Sequence, residues 1–152
     1  MFDHFSLAAP FYERVIGGVV DPAEISRHLA LPTTGRLLDA GGGTGRVAQA
    51  LHDLAGQIIV SDVSNGMLQQ AVQKNGVQAV RSHAERLPFA DATFERIIVV
   101  DAFHHFCNQR EAVADLWRVL APGGRLVIEE PNIAALSVKL VALAERLALM
   151  QG

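Results

Sequence analysis

Leu37-Leu38-Asp39-Ala40-Gly41-Gly42-Gly43-Thr44-Gly45-Arg46 is the stretch on which the fold turns. A short apolar run leads into a turn where four of five consecutive positions are glycine. Without Cβ atoms, Gly41, Gly43 and Gly45 can take positive φ and let the backbone approach a ligand at the carboxyl end of a sheet. An ordinary strand-to-helix turn does not need that many glycines, so the loop is expected to bind something. Asp39, just before the turn, is placed to orient the loop or to reach a ligand amine through water.

Outward from this point, short β-branched runs alternate with helical patterns, the signature of an α/β sheet. The strands expected are 36–40, 57–61, 77–81, 94–100 and 125–129, several of them near-continuous apolar runs as buried parallel strands are. Helices are expected over 45–54, 65–74 and 109–120, the last two N-capped by Ser64 and Asn108. Asp21-Pro22 reads as an N-cap with proline at the first helical position, opening a helix to Ala30 ahead of the first strand. Pro122-Gly123-Gly124 is read as closing the helix before strand five. The segment 133–150 places Leu136, Leu140, Leu143, Leu147 and Met150 on one helical face. Its polar face is not basic, so packing on the sheet is favoured over a membrane surface.

Composition narrows the function. With 152 residues the chain has the size of one domain, and 50% apolar against 19% charged residues with a mean hydropathy of +0.24 supports a packed core. A net charge of −3 without a Lys/Arg cluster gives no footprint for nucleic acid. The single cysteine, Cys107, excludes an intramolecular disulfide framework or a multi-cysteine zinc site and is consistent with a reducing compartment. The start lacks the features of a signal peptide, and no uncharged apolar run approaches ~18 residues. The expectation is a soluble cytoplasmic domain without a membrane span.

Two ligand classes use a glycine loop of this kind. Gly43-Thr44-Gly45-Arg46-Val47-Ala48 formally matches the dinucleotide pattern, but its first glycine falls beyond the end of the strand. The spacing Asp39-x-Gly41-x-Gly43-x-Gly45 starts where the strand stops and fits better.

This second spacing, with three further landmarks in register, resembles class I S-adenosylmethionine-dependent methyltransferases, especially the group that includes ubiquinone and menaquinone biosynthesis methyltransferases. The other landmarks are Ser61-Asp62-Val63-Ser64-x-x-Met67-Leu68, Ala84-Glu85-x-Leu87-Pro88-Phe89 with Phe94, and Arg118-Val119-Leu120-x-Pro122-Gly123-Gly124. The resemblance spans 36–130 and implies a Rossmann-like, doubly wound, mainly parallel sheet. It implies S-adenosyl-L-methionine as cofactor, S-adenosyl-L-homocysteine as product and a small, apolar methyl acceptor as substrate. Asp62, ending strand two, is where a carboxylate can accept from both ribose hydroxyls; an ordinary helix-capping or solvated Asp is its structural alternative. Val63 and Met67 would flank the adenine, unless they serve core packing. The resemblance also implies that the backbone N–H of Ala84 reads the adenine edge. His83 stands where the family commonly has an Asp accepting from the adenine amino group; a neutral imidazole either accepts one bond there or faces solvent. Glu95 likewise replaces the usual Asp after Phe94. Asp101 completes the expected cofactor set of Asp39, Gly41, Gly43, Gly45, Asp62, Val63, Met67, His83, Ala84 and Asp101.

The loop Asp101-Ala102-Phe103-His104-His105-Phe106 lies at the expected mouth of the cleft. One of its histidines is a candidate general base for a substrate hydroxyl or acidic carbon, with packing or hydrogen bonding as the plainer alternative. Two adjacent histidines make a poor metal site, and none is expected. No catalytic residue is assigned.

The chain is read as one methyltransferase-like domain, with N-terminal lid helices over 1–34, a cofactor-binding core over 35–130 and a C-terminal helix over 131–152. The resembling fold has seven strands, and the C-terminal antiparallel pair is missing from the five expected here. Strand five would then be an apolar edge, which points either to a truncated form of a longer protein or to an oligomer covering the edge in trans. A homodimer through strand five or the C-terminal helix is expected. Methyl transfer leads the functional readings; a non-catalytic binding module needing a partner, and a nicotinamide-dependent oxidoreductase, are the alternatives.

Overall fold

The structure, a computed structural model, describes residues 21–130. The expected C-terminal helix, and the part of the N-terminal lid before residue 21, lie outside the described residues. Helix α1 spans Pro22–Leu29, followed by β1 (Arg36–Ala40), α2 (Arg46–Ala50), a 3-10 turn (His52–Leu54), β2 (Gln57–Asp62) and α3 (Asn65–Ala71). Then come β3 (Val77–Arg81), β4 (Phe94–Val100), a second 3-10 turn (Phe103–His105), α4 (Gln109–Val119) and β5 (Leu120–Glu129).

The three expected N-caps form. Asp21 accepts from the Ala23 amide at 2.9 Å, Ser64 from Met67 at 3.3 Å and Asn108 from Glu111 at 3.2 Å, each satisfying an otherwise orphaned donor. Helix α1 ends on Ala30 in the left-handed region at φ +50°.

The five strands pair in the order β3-β2-β1-β4-β5, every pair parallel. Chain order runs outward from β1 in one direction through β2 and β3, then restarts beside β1 with β4. The reversal falls between β1 and β4, and ligands of doubly wound sheets bind at such a switch point, outside the carboxyl ends of the strands. Among the described residues no strand is antiparallel.

Alternation along β1 shows why the sheet is buried on both faces. Leu37 enters a cluster with Ile25, Leu29, Val47, Ile58 and Leu68, while Leu38 enters the opposite one with Ile59, Phe94, Ile97 and Leu116. Asp39 shares the parity of Leu37 and is therefore carried inward.

Several boundaries differ from expectation, and α3, expected to run to Lys74, ends at Ala71. Gly45 is not the first helical residue but a left-handed cap at φ +75°, and α2 stops at Ala50 before the 3-10 turn. Strand β5 begins at Leu120, which pairs with Phe94, so Pro122-Gly123-Gly124 interrupts a strand rather than preceding one. The register shifts between Phe94 and Arg96, and Gly123 takes φ +75°. At Gly124 a Cβ would lie 2.8 Å from the Ala121 carbonyl oxygen, so glycine is what lets the irregularity close up.

Candidate active site

The glycine loop leaves β1 by crossing onto β2, where the amides of Gly41 and Gly42 both donate to the Ser61 carbonyl, at 2.7 and 3.2 Å. Gly41, Gly43 and Gly45 all have positive φ, at +72°, +55° and +75°, as the spacing requires. The surroundings of these glycines differ. A Cβ on Gly41 would meet the Ala102 Cβ at 2.7 Å and the Phe106 ring at 3.2 Å, and one on Gly42 would lie 2.5 Å from the Asp39 carboxyl carbon. Beside Gly43 the nearest atoms are the Met67 Sδ at 3.9 Å and the Asp62 Oδ2 at 4.0 Å. The loop is thus packed shut at Gly41 and Gly42 and open at Gly43, on the side that Asp62 and Met67 border.

Asp62 holds this opening in shape. Its Oδ2 accepts from the Gly43 amide and its Oδ1 from the Ser64 amide, both at 2.9 Å, so one carboxylate spans the glycine loop and the entry to α3. The helix cap itself is Ser64; Asp62 holds the amide of that cap residue. Val63 beside it is exposed, whereas Met67 is buried at 3% and contributes only the side that borders Gly43.

Asp39 is the unusual charge of the site. It is 1% exposed, and neither carboxylate oxygen has a hydrogen-bond partner. Burial pushes its pKa up to about 7; the Ala48 backbone amide, short of hydrogen-bond geometry, favours ionisation, the Asp62 carboxylate opposes it and Arg46 favours it. A buried carboxyl left unsatisfied against the packed Gly42 side of the loop is suited to a donor that reaches it.

On the third side, the Ser82 amide donates to the Asp62 carbonyl at 3.0 Å, and the Ser82 hydroxyl is buried without a partner. Sequence reasoning passed over Ser82; its only signal was its place at the end of β3. Ala84 is buried, while the His83 side chain is mostly exposed, with its Nδ1 4.0 Å from Glu85. The loop is anchored from below by α4. Arg118 donates to the carbonyls of Leu87 and Phe89 at 3.0 and 2.8 Å, and Asp115 accepts from the Leu87 amide. Burial opposes ionisation of Asp115, but its hydrogen bonds to Arg118 and Leu87 outweigh this and hold its pKa low. Glu95, by contrast, is far from the opening: it accepts from the Arg36 amide at the start of β1.

Across the switch point, Asp101 follows β4 at φ +51°, its amide donating to the Glu129 carbonyl at 2.9 Å. Burial raises its pKa; Arg46 and His104 pull it down and Glu130 pushes it up. Glu130 was not anticipated. Its carboxylate accepts from the Phe103 amide at 2.8 Å and lies 2.5 Å from His104 Nδ1, tying β5 to the loop after β4. The described residues contain no group of three metal-ligating side chains.

With this geometry in place, similarity to known proteins becomes specific. Residues 38–128 match the methyltransferase domain family, well over half of the chain, and the chain belongs to that family. It is 39% identical over 102 residues to a demethylmenaquinone methyltransferase of Deinococcus radiodurans, covering 62% of this chain and 42% of that protein. It is 33% identical over 120 residues to a ubiquinone/menaquinone biosynthesis C-methyltransferase of Coxiella burnetii, covering 70% and 48%. A solved structure from Methanococcus maripaludis superposes with a TM-score of 0.76 at 17% identity, covering 97% of this chain and 73% of that one, which shows the fold alone. The chain spans about half the length of the curated relatives it matches. The class I S-adenosylmethionine-dependent, quinone-biosynthesis-like resemblance is thereby upheld, and S-adenosyl-L-methionine is the methyl donor that goes with it. Neither the oxidoreductase reading nor the binding-module reading is favoured.

Proposed function

We propose that this chain catalyses methyl transfer from S-adenosyl-L-methionine to a small hydroxyaromatic acceptor of the quinol type. The observation that carries the reading is the opening at Gly43, bordered by a carboxylate that already braces the loop.

The residues present fit the cofactor. Asp62 would receive the ribose hydroxyls, since a carboxylate with about four acceptor sites can take more than two amides. Val63 and the edge of Met67 would flank the adenine, with the Ala84 amide and His83 at its rim. Asp39 would favour the amino group of the methionine part, whose positive charge suits a carboxyl without a donor. Gly41, Gly43 and Gly45 would shape the loop and Asp101 would close the far side. When bound, the cofactor supplies an electrophilic methyl group whose departure leaves a neutral thioether. The protein's part is alignment and exclusion of water.

The acceptor class is supported by the names of the two relatives and by the half-buried Phe103 and Phe106, whose rings meet edge to face at 5.8 Å beside the glycine loop. The reading takes the chain as one domain, with a lid before residue 35, a cofactor-binding core to residue 130 and a C-terminal helix beyond. It also takes a cytoplasmic setting, in keeping with the single cysteine, Cys107. A homodimer is part of the same reading. Strand β5 is an edge of the described sheet, and Ile128 on it is exposed. Sedimentation at micromolar concentration should give twice the mass of the chain; a monomer contradicts that part.

Calorimetry with S-adenosyl-L-homocysteine, S-adenosyl-L-methionine and NAD, followed by mass detection of methylated 1,4-naphthoquinol, tests the whole. Binding of the first two, no binding of NAD and a methylated product are expected. Failure to bind S-adenosyl-L-homocysteine overturns the reading.

A further inference from the structure

We propose that His104 is the general base that deprotonates the acceptor and that Glu130 is the residue that positions it; this rests on the methyl-transfer reading above. His104 comes from the turn after β4 and Glu130 from the residue following β5, so strands adjacent in the sheet bring them together across 26 positions of sequence.

The geometry fixes the tautomer. Glu130 Oε2 lies 2.5 Å from His104 Nδ1, and a carboxylate there accepts, so Nδ1 carries the proton and Nε2 is left as the basic nitrogen. The other oxygen, Oε1, accepts from the Phe103 amide at 2.8 Å, which prevents the carboxylate from rotating away. The imidazole is further confined by the His105 ring, 3.9 Å away between centroids. A base oriented by a carboxylate that is itself held by a backbone amide is an arrangement suited to proton transfer.

Location gives the dyad its target. The same turn packs on the glycine loop through Ala102 and Phe106, which crowd Gly41, so His104 follows β4 at the carboxyl end of the sheet, beside the switch point. Its side chain is 45% exposed, which leaves it open to an acceptor and gives the proton a route to water.

The step is a simple proton transfer. The O–H bond of the acceptor breaks, its electron pair stays on oxygen and is shared with the ring, and a new N–H bond forms at Nε2. The resulting imidazolium is stabilised by Glu130 and releases its proton to solvent. The negative charge shared with the ring makes the acceptor the nucleophile; where a ring carbon forms the new bond to the methyl group, the C–H bond of that carbon then breaks, its electron pair returns to the ring and the proton goes to solvent.

The test uses the 152-residue chain with S-adenosyl-L-methionine and 1,4-naphthoquinol kept reduced. His104→Gln should lower kcat at least a hundredfold and Glu130→Gln about tenfold, with KM changed less than threefold. Both should bind S-adenosyl-L-homocysteine within twofold of the parent. Exogenous imidazole should restore part of the rate to His104→Gly, which a purely structural histidine would not allow. Nitrogen-15 NMR, independent of activity, should show the Nδ1–H tautomer in the parent and a mixture in Glu130→Gln. Unchanged kcat in His104→Gln overturns the base, and an unchanged tautomer in Glu130→Gln overturns the positioning role. A parent that binds S-adenosyl-L-homocysteine but does not methylate naphthoquinol overturns the acceptor and the dyad's role with it. A parent that does not bind S-adenosyl-L-homocysteine instead removes the methyl-transfer reading on which both rest.

Discussion

The carboxylate of Asp62 accepts the Gly43 amide at 2.9 Å, so the tip of β2 holds the turn that follows β1 in its left-handed conformation. The residue proposed to receive the ribose is therefore also the brace of the loop beside it. On that proposal, binding and loop shape would be coupled through one side chain.

Replacing that side chain should reveal both roles. Asp62→Ala is expected to weaken S-adenosyl-L-homocysteine binding by roughly 1 to 3 kcal/mol, because a charged acceptor is lost. Calorimetry on folded protein checks this, and unchanged affinity would remove the ribose assignment.

Neighbouring glycines should respond differently. Gly43→Val has room for its Cβ but imposes a branched side chain on φ +55°, so it should abolish ligand binding while the sheet still forms. Gly42→Ala pushes a methyl group into the Asp39 carboxyl, whose carbon would be 2.5 Å away, and should lower the melting temperature more than Gly43→Ala does. Circular dichroism and calorimetry on the set separate a ligand surface from a packing contact. Equal effects at the two positions would contradict the distinction.

Asp39 makes the ligand-free fold sensitive to pH. Its pKa is raised from the ordinary carboxylate value of 3.8 to about 7 in the folded state. Between these values the folded chain binds more protons than the unfolded one, so stability is greatest below about 4 and falls as pH rises toward 7. The loss is on the order of 2 to 4 kcal/mol at one pKa unit per 1.36 kcal/mol. Asp39→Asn should flatten this part of the profile. Urea unfolding at pH 5 and pH 8 would show it; an equal slope in parent and variant counts against the buried charge.

Arg118→Ala is expected to destabilise the fold by roughly 1 to 3 kcal/mol, since the carbonyls of Leu87 and Phe89 lose a charged donor. The loop carrying His83 and Ala84 should loosen, and hydrogen exchange of the Leu87 amide should accelerate. If exchange there is unaltered, α4 does not anchor this loop.

Local chemistry made much of the molecule readable from the chain. Strands β1, β3 and β4 have the bounds expected from the chain, and Asp21, Ser64 and Asn108 cap the helices they precede, because a cap acts on amides only two or three residues away. The start of β5 was less readable. Leu120 looks like the end of a helix beside proline and two glycines, and only its pairing with Phe94, 26 residues earlier, makes it a strand.

The sequence by itself determined the alternation of strands and helices, the left-handed glycine loop and the likeness to methyltransferases, since each depends on residues close together in the chain. Tertiary structure alone decided which side chains meet at the switch point. That Asp39 is buried without a partner, that Asp62 reaches back nineteen residues to Gly43, and that Glu130 meets His104 all follow from parallel strands placing distant chain segments side by side at the carboxyl end of the sheet.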